Sequence, residues 1–313
     1  MGPRGVPGRM SKRTLLPAAA LLAAVGVAAC SSGASPATQA PTTPPSGAPT
    51  EAPAASPSPV ITGLAHPTGA DEIVLRLDYE GGFVPPEFLA ARVPPFTLYG
   101  DGRIVFVQTT AAPHERDIAV GQPIRTAVLN EEQIQALLTA ALDEGGLAVA
   151  REEYVNGGVM DAPTTVFTIN ADNDSKTVKA NALGFEGNPS PDSQVLARLA
   201  KLAERLNDFD QGGSIASDQY KPAAYRGVLT DASGAQGVAV HAWPWADIKA
   251  SDFTFPADAN ALQQGTLVLT PEQVDALGVD GHENGISGGL WVRAEDGKLY
   301  SLVVRPLLPD ETK

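Results

Sequence analysis

The chain has 313 residues, with 36 acidic against 22 basic side chains and a formal net charge of −14. A body this acidic is repelled by phosphate backbones and anionic head groups, so nucleic acid is not an expected partner. The single cysteine, Cys30, excludes an intramolecular disulfide and thiol-ligated metal centres, and stability must therefore come from a hydrophobic core.

The first sixty residues are not expected to join that core. Arg4, Arg9, Lys12 and Arg13 form a positive start without acids, and an apolar run over 15–29 follows. The run has the length of a signal-peptide core and is short for a bilayer span. Met10 is an alternative start, since Met10-Ser11-Lys12-Arg13 already supplies the charge. Val27-Ala28-Ala29-Cys30 resembles the lipobox of bacterial lipoproteins, with valine where leucine is commoner. That resemblance implies a signal peptide over 1–29, cleavage before Cys30, and a diacylglyceryl group on its thiol. The protein would then be tethered to the extracytoplasmic face of the cell membrane, because paired acyl chains suffice for stable attachment. Residues 31–61 are dominated by Ser, Thr, Ala, Pro and Gly, with Glu51 the only charge. Such a segment buries too little apolar surface to offset its ordering entropy and reads as a disordered stalk. Extended like polyproline it would reach about 100 Å.

The body opens at 73–79, where Ile73, Leu75, Leu77 and Tyr79 alternate with Arg76 and Asp78 as in a half-buried strand. Two Pro-Pro pairs bracket an irregular connection, and runs at 96–99 and 103–107 flank Gly100-Asp101-Gly102 as a hairpin. Asn130 and Gln133 form a capping box for a helix with the stripe Ile134, Leu137, Leu138 and Ala141, ended by Gly145-Gly146. A second hairpin, 164–169 with 177–180, turns at Asp172-Asn173-Asp174. A helix is expected from Ser190-Pro191, with Leu196, Leu199, Leu202 and Leu206 on its buried face. After a short linker, a strand pair is expected at 225–229 and 238–243. A strand at 266–269, a helix capped by Thr270-Pro271, and a hairpin of 290–294 with 299–304 across Asp296-Gly297 complete the chain.

These elements imply an α+β fold of antiparallel β-hairpins with a few short amphipathic helices packed on the sheets. Two related subdomains are expected, 62–215 and 216–313. Residues 129–137 and 269–277 echo one another, either as a trace of duplication or as two well-capped helices that each precede a hairpin. The series of hairpin, capped helix and Tyr154 … Asp161-Ala162-Pro163-Thr164-Thr165-Val166-Phe167 resembles a group of uncharacterised secreted bacterial proteins that includes actinobacterial lipoproteins. The similarity spans roughly 70–182, extends to the closing residues 304–309, and implies a fold class but no chemistry.

Motifs for chemistry are weak. Gly285-Ile286-Ser287-Gly288-Gly289 fits the G-x-S-x-G pattern, but a strand follows it and no histidine lies downstream of Ser287. His66, His114, His241 and His282 show no metal-ligand spacing, and no metal or other cofactor is expected. Asn170, Asp172 and Asp174 imitate the start of a calcium loop, with Ser175 and Asn181 in the places of its glycine and glutamate. A turn is the better reading. His241-Ala242-Trp243-Pro244-Trp245-Ala246-Asp247 carries two of three tryptophans. Trp243 on its strand should pack beneath Trp291, whereas Trp245, following a proline, is a candidate exposed anchor for a partner. No catalytic residue is assigned. The expected function is a non-catalytic, lipid-anchored envelope module that binds a protein or wall component, with Trp243, Trp245 and Trp291 as possible binding residues. The alternative is an extracellular hydrolase of wall or environmental substrate, with acids such as Asp161 and Glu283 converging only in the fold.

Overall fold

The computed structural model describes residues 63–110, 118–185, 191–211, 213–258 and 261–312. The leader, Cys30, the stalk and His114 lie outside them. The described residues belong to one compact unit, Val60–Lys313.

The first part of the chain runs β1 (Ile73–Glu80), α1 (Pro86–Ala91), β2 (Phe96–Tyr99), β3 (Arg103–Val107), β4 (Ala119–Val120), β5 (Ile124–Val128), α2 (Glu131–Leu142), β6 (Glu153–Tyr154), β7 (Thr164–Ala171), β8 (Asp174–Asn181), α3 (Ser193–Asn207) and β9 (Asp218–Gln219). The second part runs β10 (Tyr225–Asp231), β11 (Val240–Ala242), β12 (Gln264–Leu269), α4 (Pro271–Asp275), β13 (Ile286–Gly288), β14 (Trp291–Arg293) and β15 (Leu299–Pro306). An eight-stranded sheet has the order β6-β8-β7-β1-β2-β3-β5-β9, and a second sheet the order β11-β14-β15-β10-β12. Pairing is antiparallel except for β6 with β8 and β11 with β14. This is an α+β fold with two sheet subdomains.

Local chemistry explains the turns. Asp172 and Asn173 both take positive φ, 55° and 62°, and join β7 to β8 by a two-residue turn whose left-handed geometry matches strand twist. Gly102, at φ 84°, turns β2 into β3, and a Cβ there would lie 2.5 Å from the Leu129 carbonyl. The Asn130–Gln133 capping box forms, and Ile134, Leu137, Leu138 and Ala141 are all buried. Together with Leu199, Leu202 and Leu206 of α3 they cover one face of the first sheet, against Leu75, Leu77, Phe96, Leu98, Phe106 and Phe167. Helix α3 begins at Ser193, later than Ser190-Pro191, and its N-cap Asp192 makes no side-chain capping bond.

Several expectations change in the second sheet. Strands β10 and β11 do not pair. Strand β10 lies between β15 and β12, and β11 joins β14 in parallel at the sheet edge with all three residues exposed. The sequence echo is confined to strand, cap and helix. Beyond it, the first strand of one hairpin, β7, pairs with β1, whereas the second strand of the other, β15, pairs with β10.

The two sheets exchange segments. Strand β4 pairs with β13 of the second sheet, and β9 pairs with β5 of the first. The expected polar face of β1 is also covered instead of solvated. Arg76 donates to Thr97 Oγ1 at 3.0 Å and to Asp310 Oδ1 at 2.7 Å, and the Tyr99 hydroxyl donates to the same Asp310 oxygen at 2.6 Å. Arg305 of β15 reaches Glu311 at 2.8 and 3.0 Å and the Arg92 carbonyl at 2.5 Å, while Tyr220 donates to the Leu307 carbonyl. The last residues thus form a polar clasp across the sheets. Within it Arg305 is buried, like every other residue of β15, which lies between β14 and β10.

Candidate functional site

The tryptophan segment is core. Trp245 is 7% exposed, and its indole nitrogen donates to the Gln273 carbonyl at 2.7 Å. The expectation of an exposed anchor at Trp245 is therefore corrected. Strand β11 ends at Ala242, and the chain after Pro244 turns inward instead of outward. Trp243 is half-buried, donates to the Ile248 carbonyl at 2.6 Å, and has Trp245 and Phe253 as ring neighbours at 5.4 and 6.3 Å. Trp291 is half-buried on β14 opposite Ser301. With both indole donors of 243 and 245 satisfied internally, this cluster offers packing and little recognition chemistry.

Nor does the G-x-S-x-G segment form a nucleophile elbow. Gly285 takes φ 91°, where a Cβ would meet the Val304 carbonyl at 2.7 Å and Pro306 at 2.9 Å. Ser287 lies on strand β13 and donates to the Ala119 carbonyl at 3.2 Å. His282 is occupied elsewhere. Its Nδ1 meets the Val279 carbonyl at 2.6 Å and its Nε2 meets Asp275 at 2.7 Å. Burial alone would lower its pKa, but these two acceptors raise it. His66 sits between the Pro67 carbonyl and Glu131, and His241 is exposed on β11. Among the described residues, no group of three His, Cys, Asp or Glu side chains could hold a metal ion. Asp161 lies in the loop between β6 and β7, and Glu283 in the turn before β13, with no hydrogen bond or ion pair joining them.

A concave surface lies between α3 and the open end of the β7–β8 hairpin. Two adjoining hollows of about 630 and 870 Å³ share Leu183, Gly184, Phe185 and Ala200 and form one groove. Its floor is the small-residue face of α3, where Leu196, Ala197, Ala200 and Ala203 leave room beneath the loops. Polar and apolar side chains share the lining, with Thr109, Thr165, Asn181 and Ser193 among the polar ones. Tyr154, Asn156 and the Arg151–Asp192 ion pair line one end, and Glu204, Asp208 and the Asn207–Tyr79 hydrogen bond line the other.

Phe185 in the groove wall is exposed, and so are Met160 and Phe83 in loops outside the groove lining. Phe185 is 57% exposed, Met160 86% and Phe83 87%. The Phe83 amide donates to the Asp161 carbonyl at 2.9 Å, and the adjacent Gly82 lies against Pro163 of the groove wall. Backbone strain concentrates at the same place. Asp161 and Ala182 adopt φ of 62° and 51°, and Ala182 donates to the Pro163 carbonyl across the groove end. Outside an Asn-Gly-type turn, such conformations cost an L-residue about 1–2 kcal/mol and gather at functional surfaces. Sequence reasoning missed this site. The available signal was two glycine-bearing loops, at Gly157-Gly158 and at Gly184-Phe185, the second with a bulky apolar residue where no periodicity calls for a core residue.

No family model matches the chain, and neither a curated protein nor a solved structure shows significant similarity to it. No helix among the described residues is long and apolar enough to cross a membrane.

Proposed function

We propose that the protein is a lipid-anchored envelope module, held at the extracytoplasmic face of the membrane through Cys30, that captures an envelope protein or wall component in the α3 groove without transforming it. The observation that carries this reading is Phe185, 57% exposed in the wall of the α3 groove, beside the left-handed backbone of Ala182. Large apolar side chains held in water over a concavity are what an interface leaves when its partner is away. The anchoring half of the reading rests on the lipobox-like Val27-Ala28-Ala29-Cys30 and the charged leader before it.

Each half has its own test. Cys30→Ser should move the chain from the membrane fraction to the soluble one, and a variant that stays membrane-bound contradicts the tether. For the groove, the full chain is co-sedimented with purified cell-wall fragments and with solubilised envelope proteins. Phe185→Asp should abolish retention, while Val268→Asp, at an exposed position on β12, should not. Equal retention of the two variants contradicts the groove.

A further inference from the structure

The sequence contains two Asn-Gly pairs, Asn156-Gly157 and Asn284-Gly285, and the fold treats them in opposite ways. An Asn side chain followed by glycine can be attacked by the glycine's own backbone nitrogen, because no Cβ hinders the approach. The reaction needs a free backbone amide, a side chain not fastened to distant parts of the fold and access to water. Asn156 has all three. Gly157 and Gly158 are exposed, and the Gly157 amide has no hydrogen-bond partner among the described residues. The Asn156 Oδ1 accepts from the Gly158 amide at 3.2 Å, which polarises the carbonyl carbon under attack, and its Nδ2 makes no bond to a described residue. Asn284 lacks the first two, and its glycine is buried. Its Oδ1 accepts from Gln219 Nε2 at 2.7 Å and from the Ile124 amide at 3.2 Å, and the amide that would attack, Gly285 N, donates to His282 O at 2.8 Å.

We propose that Asn156 is a self-modification site at which the groove wall acquires a carboxylate as the protein ages. The Gly157 nitrogen loses its proton and bonds to the Asn156 side-chain carbon. The bond from that carbon to Nδ2 breaks, and ammonia leaves. Water then opens the five-membered imide at either carbonyl, giving aspartate or isoaspartate at 156, the latter with an extra methylene in the backbone. Asn156 lines the groove beside Arg151, which is already paired with Asp192. The aged groove therefore carries one further negative charge without a counter-ion, and its preference shifts toward cationic ligands.

The test is incubation of the folded full chain at mildly alkaline pH, with a urea-unfolded sample alongside, followed by peptide mass mapping of both pairs. It is read when half of each pair has converted in urea. In the folded chain Asn156 should convert while Asn284 lags by about tenfold or more, since its segment must open before it can react. Gly157→Ala, at a position with open space for a Cβ, should slow Asn156 by a comparable factor without changing the thermal midpoint. Equal conversion of the two pairs in the folded chain overturns the proposal. An Asn156 that stays intact while the unfolded chain reacts overturns it as well, and so does a Gly157→Ala chain that converts as fast as wild type.

Discussion

The clasp and the groove lie in the same compact unit, yet they use side chains in opposite ways. In the clasp every charged group has a partner. Arg76 is held by Asp310, Arg305 by Glu311 and the Arg92 carbonyl, and the Tyr99 hydroxyl is buried on Asp310. In the groove Phe185 faces water, and Ala182 holds left-handed backbone. The difference separates what a core needs from what a surface can do. Buried charge must be satisfied to be tolerated, whereas an exposed apolar side chain such as Phe185 is left free for contact with something outside the chain.

Breaking the clasp should have the largest effect. Asp310→Ala leaves the Arg76 guanidinium, 15% exposed, without its carboxylate, and should cost about 3–4 kcal/mol in chemical denaturation. Gly285→Ala should cost about 3 kcal/mol through the clash with Val304 and Pro306, while Ser287→Ala on the same strand stays within about 0.5 kcal/mol. That pair separates a packing role for the glycine-rich segment from a nucleophilic one.

The clasp also has a pH signature. Burial alone would raise the pKa of Asp310, but the hydrogen bonds from Arg76 and Tyr99 hold it below its ordinary 3.8. Its folded value is depressed, so its contribution is fully present above pH 3.8 and is lost as pH falls through the folded value. The denaturation midpoint of Asp310→Asn should lose that acid limb. Asp78 behaves inversely. Burial raises its pKa, so ionisation at neutral pH weakens the fold, and its contribution is fully present only below 3.8. Asp78→Asn keeps the Oδ1 acceptor for the Tyr79 amide. It should stabilise the chain by roughly 0.5 kcal/mol at pH 7 and by nothing at pH 3. Phe83→Ala, Met160→Ala and Phe185→Ala should be the quietest of all, each within about 0.5 kcal/mol in thermal unfolding.

Much of the first sheet was legible because its signals are local. The alternation of β1, the Gly-Asp-Gly turn, the Asn130 capping box and the leucine face of α3 each recur in the fold at the residues that announced them. What escaped depends on contacts far apart in sequence. Arg76 and Asp78 read as a wet face because nothing near them announces that Asp310, more than two hundred residues away, comes to cover it. Trp245 read as exposed because the turn after Pro244 is set by packing on Phe253 and Val274. The groove was hidden for a third reason: it is lined by alanines of α3 that any amphipathic helix carries, and only the tertiary approach of the loops at Gly157-Gly158 and Gly184-Phe185 makes them a hollow.

The most direct test of the binding reading is a thermal-shift panel on the full Cys30→Ser chain with wall fragments, sugars and apolar peptides, run in parallel with Phe185→Ala. A ligand at one hundred times its dissociation constant adds about 2.7 kcal/mol to the folded state. The account predicts at least one ligand that raises the wild-type midpoint and fails to raise that of Phe185→Ala, whose unliganded midpoint is unchanged. A ligand that shifts both proteins equally, or a panel that shifts neither, contradicts capture in the α3 groove.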